Sequence, residues 1–295
     1  MFDVVCLGTG VFDRVYRVER LPSGEGKLLA LGYSESGGGI AATAAVAVAA
    51  LGGRVAWRGT VGDDEAGRAL RAGLAQCGVD VSSMIVRPAS RSPSAAILVD
   101  RAGERLIVAD PGTANALDAE QDLPQTRALL VDPHHTKAAV RALAIAAERG
   151  VPRVLDGETA SVEAIAAVLA GSNHAIFSRA GLAQYAGTED VHAGLRVAAR
   201  TSAGLVAVTL GAQGSVFLID RVFHSVAAPG VAAVDTTGCG DVFHGAYALA
   251  LAEGRAPLEA ARFATAAAAI KAQRGGGWQA MPDRAMTEAL LRAGW

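Results

Sequence analysis

Short runs rich in β-branched residues alternate with alanine-rich segments along this chain, and no other feature of the sequence limits the fold as strongly. The runs lie at residues 4–7, 55–59, 129–132, 153–156, 175–178 and 205–210. Strands that alternate with helices form a parallel sheet with helices on both faces. The last third of the chain is predicted to be helical, at residues 241–253, 257–273 and 283–292. We therefore predict an α/β fold around a central, mostly parallel sheet.

Length and charge limit the partners that such a chain can take. With 295 residues, it is long enough for one large α/β domain with its own core. The formal net charge of −2 gives no basic surface of the kind that binds nucleic acid or an anionic membrane. The longest apolar run, residues 40–51, is too short to span a bilayer and is predicted to be a buried helix. We expect no nucleic-acid or membrane partner.

The cysteines and the first residues indicate the compartment. Cys6, Cys77 and Cys239 lie far apart without a metal-ligand spacing, which is typical of a reducing environment. The chain runs from Met1 directly into a predicted strand, without the basic start and cleavable apolar segment of a secretory signal. We expect a cytoplasmic protein.

Two stretches, residues 14–35 and 94–110, break the alternation of strands and helices. Both have the pattern of extended structure, and the second contains a turn at residues 101–104. Neither is followed at once by a crossover helix. These segments are predicted to form a small β lid that projects from the main sheet.

The segment at residues 235–241, with the sequence DTTGCGD, carries the chemistry. A glycine-flanked turn that opens a helix presents unpaired N–H groups to an anion, and the helix dipole adds positive potential there. An acid beside such a turn is well placed to accept a hydroxyl proton during phosphoryl transfer. Asp241 has this position; the alternative is that it only stabilises a helix N-terminus. Cys239 as a thiol nucleophile is a further alternative.

Three other segments complete the pattern. Glycines at residues 37–39 precede an alanine-rich helix, where backbone can approach a ligand closely. Asp13 follows the first predicted strand, and its carboxylate can accept two hydroxyl groups. The run 208–214, VTLGAQG, has the pattern of a strand that ends in a tight turn.

The run 235–241 with the following Phe243 and Gly245 resembles the second signature of the ribokinase (PfkB) sugar kinases, and the run 37–45 resembles the first. The resemblance covers essentially the whole chain. It implies a single ribokinase-like α/β domain over residues 1–295, with the segments 14–35 and 94–110 inserted as the lid. It also implies ATP and Mg²⁺ as cofactors, a sugar substrate, and a homodimer formed through the lid.

The resemblance assigns roles by position. The catalytic residues that it implies are Asp241 as general base, with Gly238, Cys239 and Gly240 as an anion hole. The sugar site that it implies consists of Asp13, Lys27, Gly38, Gly39, Thr43 and Arg105. The ATP site that it implies consists of Thr209, Gly211, Gly214, Gly238 and Gly240. Arg105 could instead be an exposed charge beside a turn.

One departure from the family concerns metal ions. Many members carry an Asn-x-x-Glu motif that orders the magnesium shell, and residues 178–181 have the sequence SRAG instead. We therefore assign no protein ligand to a metal and expect Mg²⁺ to be held by ATP oxygens and water. In the family, Asp235 and the loop at 274–277 lie near a potassium-type site. Glycines alone do not establish such a site, so dependence on K⁺ stays open.

Several strings are similar to those of sulfofructose kinases, among them GGGIAATAAVA from residue 37, and Arg105 matches a lid Arg of ketohexokinase-like members. Lys27 is kept where those kinases place a lysine, whereas Ala109 and His134 stand where they place Asn and Arg. A lost Arg partner removes charge-assisted hydrogen bonds worth about 1.5–3 kcal/mol. We expect phosphorylation of a primary hydroxyl of a ketose or related polyol, with little preference for sulfofructose. A nucleoside kinase and a non-catalytic binding regulator are the alternatives.

Overall fold

The computed structural model describes residues 1–114, 117 and 122–295. Its strands are β1 (Phe2–Leu7), β2 (Val11–Arg17), β3 (Gly32–Gly38), β4 (Val55–Arg58), β5 (Thr60–Gly62), β6 (Ile85–Arg87), β7 (Ser94–Val99), β8 (Arg105–Asp110), β9 (Thr126–Val131), β10 (Arg153–Gly157), β11 (His174–Ser178), β12 (Leu205–Thr209), β13 (Ser215–Ile219) and β14 (Val222–Val226). Its helices are α1 (Ile40–Ala50), α2 (Glu65–Gln76), α3 (Thr136–Glu148), α4 (Val162–Gly171), α5 (Arg179–Ala186), α6 (Val191–Ala198), α7 (Cys239–Ala252), α8 (Pro257–Arg274) and α9 (Arg284–Ala293).

The described residues form a main sheet of 8 strands in the order β14-β13-β12-β11-β10-β9-β1-β4. Pairing is parallel from β4 through β12, and β13 and β14 continue antiparallel. All six β-branched runs lie in this sheet, which confirms the predicted α/β class. The predicted C-terminal helices correspond to α7, α8 and α9, and α7 begins slightly earlier than expected, at Cys239.

Helices cover both faces of the main sheet. On one face, α1, α7 and α8 pack through a cluster that includes Tyr247 and Phe263. On the other face, α3, α4 and α5 pack through residues such as Leu143, Ile165 and Leu182. The apolar run 40–51 is helix α1, and it is buried as predicted. Helices α1 and α7 approach so closely that a side chain at Gly245 would overlap the carbonyl oxygen of Ala44. This contact holds the N-terminal half of α1 against the middle of α7.

A second sheet of 4 strands has the order β3-β2-β7-β8 in the described residues. The segments 14–35 and 94–110 contribute to it, but their extents differ. Strands β2 and β3 reach residues 11 and 38, and the residues between them, 18–31, are not a strand because the stretch at 22–26 is rich in proline and glycine. Strands β7 and β8 form a hairpin across residues 100–104. We call this sheet the lid.

The described helices include none that combines the length and the apolar character needed to cross a bilayer.

Candidate active site

Acidic side chains gather at the edge of the main sheet where its parallel strands end. Asp132 follows β9, Asp156 lies in β10 and Glu158 follows β10. Oδ2 of Asp132 accepts hydrogen bonds from N and Oγ1 of Thr9, at 2.6 and 2.8 Å. Oε1 of Glu158 accepts a hydrogen bond from Oγ of Ser178 at 3.0 Å. The carboxyl ends of parallel strands are the usual place for a ligand site in such folds.

The turn at residues 235–241 lies above this edge. Gly238 has φ 74°, a left-handed conformation that favours glycine, and α7 begins directly after it. Oδ1 of Asp235 accepts hydrogen bonds from N and Oγ1 of Thr237, at 2.9 and 2.6 Å, which stiffens the turn. The N–H of Cys239 donates to the carbonyl oxygen of Thr236 at 3.2 Å and is therefore engaged. The N–H of Gly240 lies in the first helical turn, where amides have no acceptor within the helix.

Asp241 is the first acidic residue of α7, and it is half-buried. Burial raises its pKa well above the ordinary value, and the carboxylates of Asp156, Glu158 and Asp132 raise it further, while His244 opposes them. A carboxylate with a raised pKa is a stronger base. The position therefore suits a group that takes a proton from a hydroxyl.

His244 lies one turn after Asp241 and is 2% exposed. Its Nδ1 is 2.7 Å from the carbonyl oxygen of Gly240 and 3.0 Å from Oδ2 of Asp156. Its Nε2 is 3.0 Å from the carbonyl oxygen of Ile176. Burial alone would lower the pKa of His244, but Asp156 and the two carbonyl oxygens raise it to about 9. Because both ring nitrogens face oxygens, the charged imidazolium is the form that fits.

Three of the predicted sugar-binding residues, Asp13, Gly38 and Gly39, lie where the lid meets α1. A side chain at Gly38 would overlap the carboxylate of Asp13, so these two residues are in contact. Burial raises the pKa of Asp13 to about 6. Gly39 has φ 90° and packs against the backbone of Gly10, which only glycine permits.

Thr43 joins this sugar side to the turn at 235–241. Its Oγ1 accepts a hydrogen bond from Nε1 of the buried Trp278 at 3.1 Å. A Cβ atom added to Gly238 would lie 3.4 Å from Cγ2 of Thr43 and 3.8 Å from Oδ2 of Asp241. The structure thus brings Asp13, Gly38, Gly39 and Thr43 into one continuous surface with the turn and Asp241.

Arg105 connects the lid to the same turn. It begins β8, and its Nη2 is 2.5 Å from Oδ1 of Asp235. Lys27 and Ala109 are exposed, in the loop between β2 and β3 and in β8, and His134 is exposed after β9. Of the residues described, none forms a hydrogen bond or an ion pair with the Lys27 side chain.

The predicted ATP residues lie at the carboxyl end of β12. Thr209 ends this strand, and Oγ1 of Thr209 donates to the carbonyl oxygen of Phe177 at 3.4 Å. Gly211 and Gly214 bound a short 3₁₀ helix that leads into β13, and both have positive φ. These residues share the carboxyl edge of the main sheet with Glu158 and Ser178.

The acidic edge raises the question of a divalent metal site. In the described part of the chain, no three His, Cys, Asp or Glu side chains are grouped closely enough to hold a metal. Burial raises the pKa of Cys239 to about 11, which leaves its thiol protonated near neutral pH and disfavours a thiol nucleophile.

A covered parallel sheet with a glycine turn and a carboxylate at its carboxyl edge, next to a β lid, is compatible with phosphoryl transfer to a small molecule. Residues 1–284 match the model of the pfkB family carbohydrate kinases. The chain belongs to this family and is an ATP-dependent carbohydrate kinase, a phosphotransferase that acts on alcohol groups.

Relatives agree with this assignment. A ribokinase from Haemophilus influenzae is 30% identical and is matched over 97% of this chain and 97% of its own length. A fructokinase from Klebsiella pneumoniae is 34% identical over 77% of this chain and 78% of its own. The crystal structure of a candidate ribokinase from Agrobacterium tumefaciens has a TM-score of 0.92 and 36% identity, over 98% of this chain and 97% of that one.

Several residues of the site were not assigned from the sequence. They are Asp132, Asp156, Glu158, His244, Lys271 and Trp278. The one signal available was that Asp132 and Asp156 end predicted parallel strands, whose carboxyl ends meet at one edge.

Proposed function

We propose that this kinase transfers the γ-phosphate of ATP to a primary hydroxyl of a ketose or related small polyol, with Asp241 as general base. The observation that carries the proposal is the carboxyl of Asp241, held among other acids beside the left-handed turn at Gly238. The raised pKa equips it to accept the hydroxyl proton. The relatives named as ribokinase and fructokinase support a small sugar as acceptor.

In this proposal, some of the remaining predicted residues bind the sugar and the others bind ATP. Asp13 accepts hydrogen bonds from two sugar hydroxyls, Gly38, Gly39 and Thr43 line the sugar, and Arg105 acts from the lid. The N–H of Gly240 donates to the transferred phosphoryl group, and Gly238 and Cys239 form the tight turn that leaves room for it. Thr209, Gly211 and Gly214 bind ATP with these same glycines. Lys27 reaches the substrate from the loop at 18–31.

Mg²⁺ is part of the proposal as a partner of ATP, where it neutralises phosphate charge. The acidic edge offers no protein cage for it among the described residues, which supports coordination by ATP oxygens and water. The three cysteines are free, which supports a cytoplasmic location.

For sulfofructose, we propose weak selectivity. Ala109 and His134 supply no fixed guanidinium, and Lys27 is a point charge on a flexible stem. The variant Ala109→Asn with His134→Arg is expected to raise the kcat/KM ratio for sulfofructose over fructose. A wild-type preference for sulfofructose of about a hundredfold, which is about 2.7 kcal/mol in transition-state terms, would contradict this assignment.

The proposal includes a homodimer formed through the lid. Strand β8 is an open edge, and Leu106, Ile107 and Val108 are exposed on it. Leu29 and Leu31 add exposed apolar surface on the neighbouring loop. A second copy of this chain is the partner that fits, because an open strand edge can pair with its own symmetry mate.

The decisive experiment is a panel assay of purified protein with ATP and Mg²⁺ that reads ADP release. The acceptors are D-fructose, D-ribose, fructose 6-phosphate, sulfofructose and adenosine. We expect a sugar to raise ADP release far above the rate without acceptor. Preference for adenosine would favour the nucleoside kinase. The tilted contact of Tyr16 and Tyr33 in the lid, with ring centroids 5.0 Å apart, does not form a parallel pair that could hold a base between the rings. No response to any acceptor would favour a binding regulator.

A further inference from the structure

Lys271 is a charged residue in a fully buried position. It lies in the last turn of α8 and is 1% exposed. Lysine is almost never fully buried without a partner, because an ammonium group loses favourable hydration inside the protein. No step of the proposed transfer uses this side chain. Its burial therefore indicates another role.

One carbonyl oxygen contacts the ammonium group, and acidic side chains lie within electrostatic reach of it. Nζ of Lys271 donates a hydrogen bond to the carbonyl oxygen of Gly276, which follows the end of α8. The C-terminal end of a helix carries partial negative charge and attracts cations. Burial lowers the pKa of Lys271, the electrostatic influence of the Cys239, Asp235 and Asp241 side chains opposes this effect, and Arg105 adds to it. Lys271 thus lies within electrostatic reach of both ends of the turn at 235–241.

The residues that open this turn are hydrogen-bonded to the C-terminal end of α8. The N–H groups of Val234 and Asp235 donate to the carbonyl oxygen of Ala272 at 2.8 and 3.2 Å. A Cβ atom added to Gly275 would lie 3.2 Å from Cβ of Asp235. The turn at 235–241 and the loop at 274–277 therefore pack against each other, with the ammonium group beside their contact.

A backbone carbonyl, a helix C-terminus and a nearby carboxylate are groups that bind dissolved monovalent cations by replacing their hydration shell. Here the ammonium group of Lys271, which is covalently attached to α8, already lies among such groups. The place is filled by a cation that cannot dissociate.

We propose that the ammonium group of Lys271 acts as a tethered monovalent cation, which holds the 235–241 turn against the 274–277 loop and adds positive charge behind the anion-binding turn. Nucleotide binding and turnover therefore do not depend on dissolved K⁺. Lys271 is a positioning residue, since it acts through the turn. The effect on nucleotide binding and turnover rests on the proposed function, but the effect on the fold does not.

Two variants separate charge from volume. Lys271→Ala leaves room for a dissolved cation, whereas Lys271→Met keeps the length of the side chain and leaves neither room nor charge. Lys137→Ala, which removes an exposed lysine of α3, is the matched control. Each protein is measured in choline, sodium, potassium and ammonium chloride at equal ionic strength. The readouts are Tm without ligand and the Kd of MgADP by calorimetry, followed by kcat on the best sugar of the panel.

For wild type and Lys137→Ala, we expect Tm to be equal in the four salts and Kd to agree within about twofold. Lys271→Ala in choline chloride is expected to bind MgADP about tenfold more weakly and to melt at a lower temperature, with recovery of both in potassium or ammonium chloride. Lys271→Met is expected to stay impaired in all four salts.

Three results would overturn the proposal: wild type that binds MgADP more than about tenfold more tightly in potassium than in choline chloride, Lys271→Met that equals wild type, or Lys271→Ala that responds to all four salts alike. If neither variant folds in any salt, the wild-type comparison still decides, because salt-independent Kd and Tm support the tethered cation and a potassium requirement refutes it. Wild type that binds no MgADP would refute the proposed function instead. The Tm series would still test Lys271.

Discussion

The two main sheets of this protein are built from the same kinds of side chain and differ in what covers them. Val4 and Val5 in β1 are 0% exposed, whereas Ile107 and Val108 in β8 are 56% and 61% exposed. Strand β1 lies between two layers of helices, whereas β8 borders only β7 among the described strands. A run of apolar β-branched residues thus predicts a strand, but it does not predict whether other elements bury that strand. Helices cover both faces of the main sheet, whereas the lid leaves apolar side chains exposed.

The largest expected effect lies at the edge of the main sheet. We predict that Asp241→Asn lowers kcat by about 10²- to 10⁴-fold, because the general base is lost. Tm is expected to stay equal or to rise, because the substitution removes one carboxylate from a group of like charges. Steady-state kinetics and calorimetry measure the two effects. Asp220→Asn, on the exposed turn between β13 and β14, is the control. A variant that keeps more than about a tenth of wild-type kcat would show that Asp241 is not the base.

The next effect lies where the two regions meet. Arg105→Ala removes the ion pair between the lid and Asp235, and we expect kcat/KM to fall by about tenfold to a hundredfold because the lid no longer positions the reacting groups. Arg101→Ala on the same hairpin removes an exposed pair with Glu19 and is expected to change kcat/KM by about twofold at most. Equal effects of both substitutions would mean that the ion pair with Asp235 has no special role.

A third prediction contrasts two sheet edges. Ile107→Lys on β8 is expected to weaken the homodimer by at least about tenfold, because it places a charge in the apolar surface that the second copy covers. Val222→Lys on β14, an equally exposed position at the edge of the main sheet, is expected to leave the dimer unchanged. Light scattering and sedimentation at micromolar concentration measure both. Wild type that is strictly monomeric there would refute the lid dimer.

The smallest effect is a pH dependence at the base of the lid. Burial raises the pKa of Asp13 to about 6, and only its ionised form can accept two hydroxyl groups. As the pH falls through 6, Asp13 takes up a proton, so the sugar KM is expected to rise by at most about tenfold per pH unit. In Asp13→Asn, KM is expected to be high and constant with pH. A wild-type KM that stays constant between pH 7 and 5 would contradict the role of Asp13.

Local patterns in the sequence predicted the fold and part of the site. The six strands were predictable because buried parallel strands are continuous apolar runs, and the turn at Gly238 because its glycines and Asp241 are adjacent in the chain. Contacts between distant residues were not. His244 meets Asp156 only because α7 crosses β10, and Trp278 meets Thr43 across 235 residues. Such pairs depend on strand order and helix packing, which residue patterns do not encode.

The same limit applies to Lys271. In the sequence it looks like an ordinary basic residue near a helix C-terminus, where lysine is common. Its burial depends on how α8, the loop after it and the turn at 235–241 pack together. The difference between a surface charge and an internal one is decided by those three segments.

The bridge between Arg105 and Asp235 has a thermodynamic consequence. In the proposed function, it joins the hairpin above the sugar to the segment that anchors the phosphate-binding turn. If sugar binding closes the hairpin and closure tightens nucleotide binding at the turn, the coupling is reciprocal. Nucleotide binding then strengthens sugar binding by the same free energy. A water molecule in place of the sugar would not make the contacts that close the hairpin. In the proposed function, the ion pair that couples the two substrates therefore also disfavours futile hydrolysis of ATP.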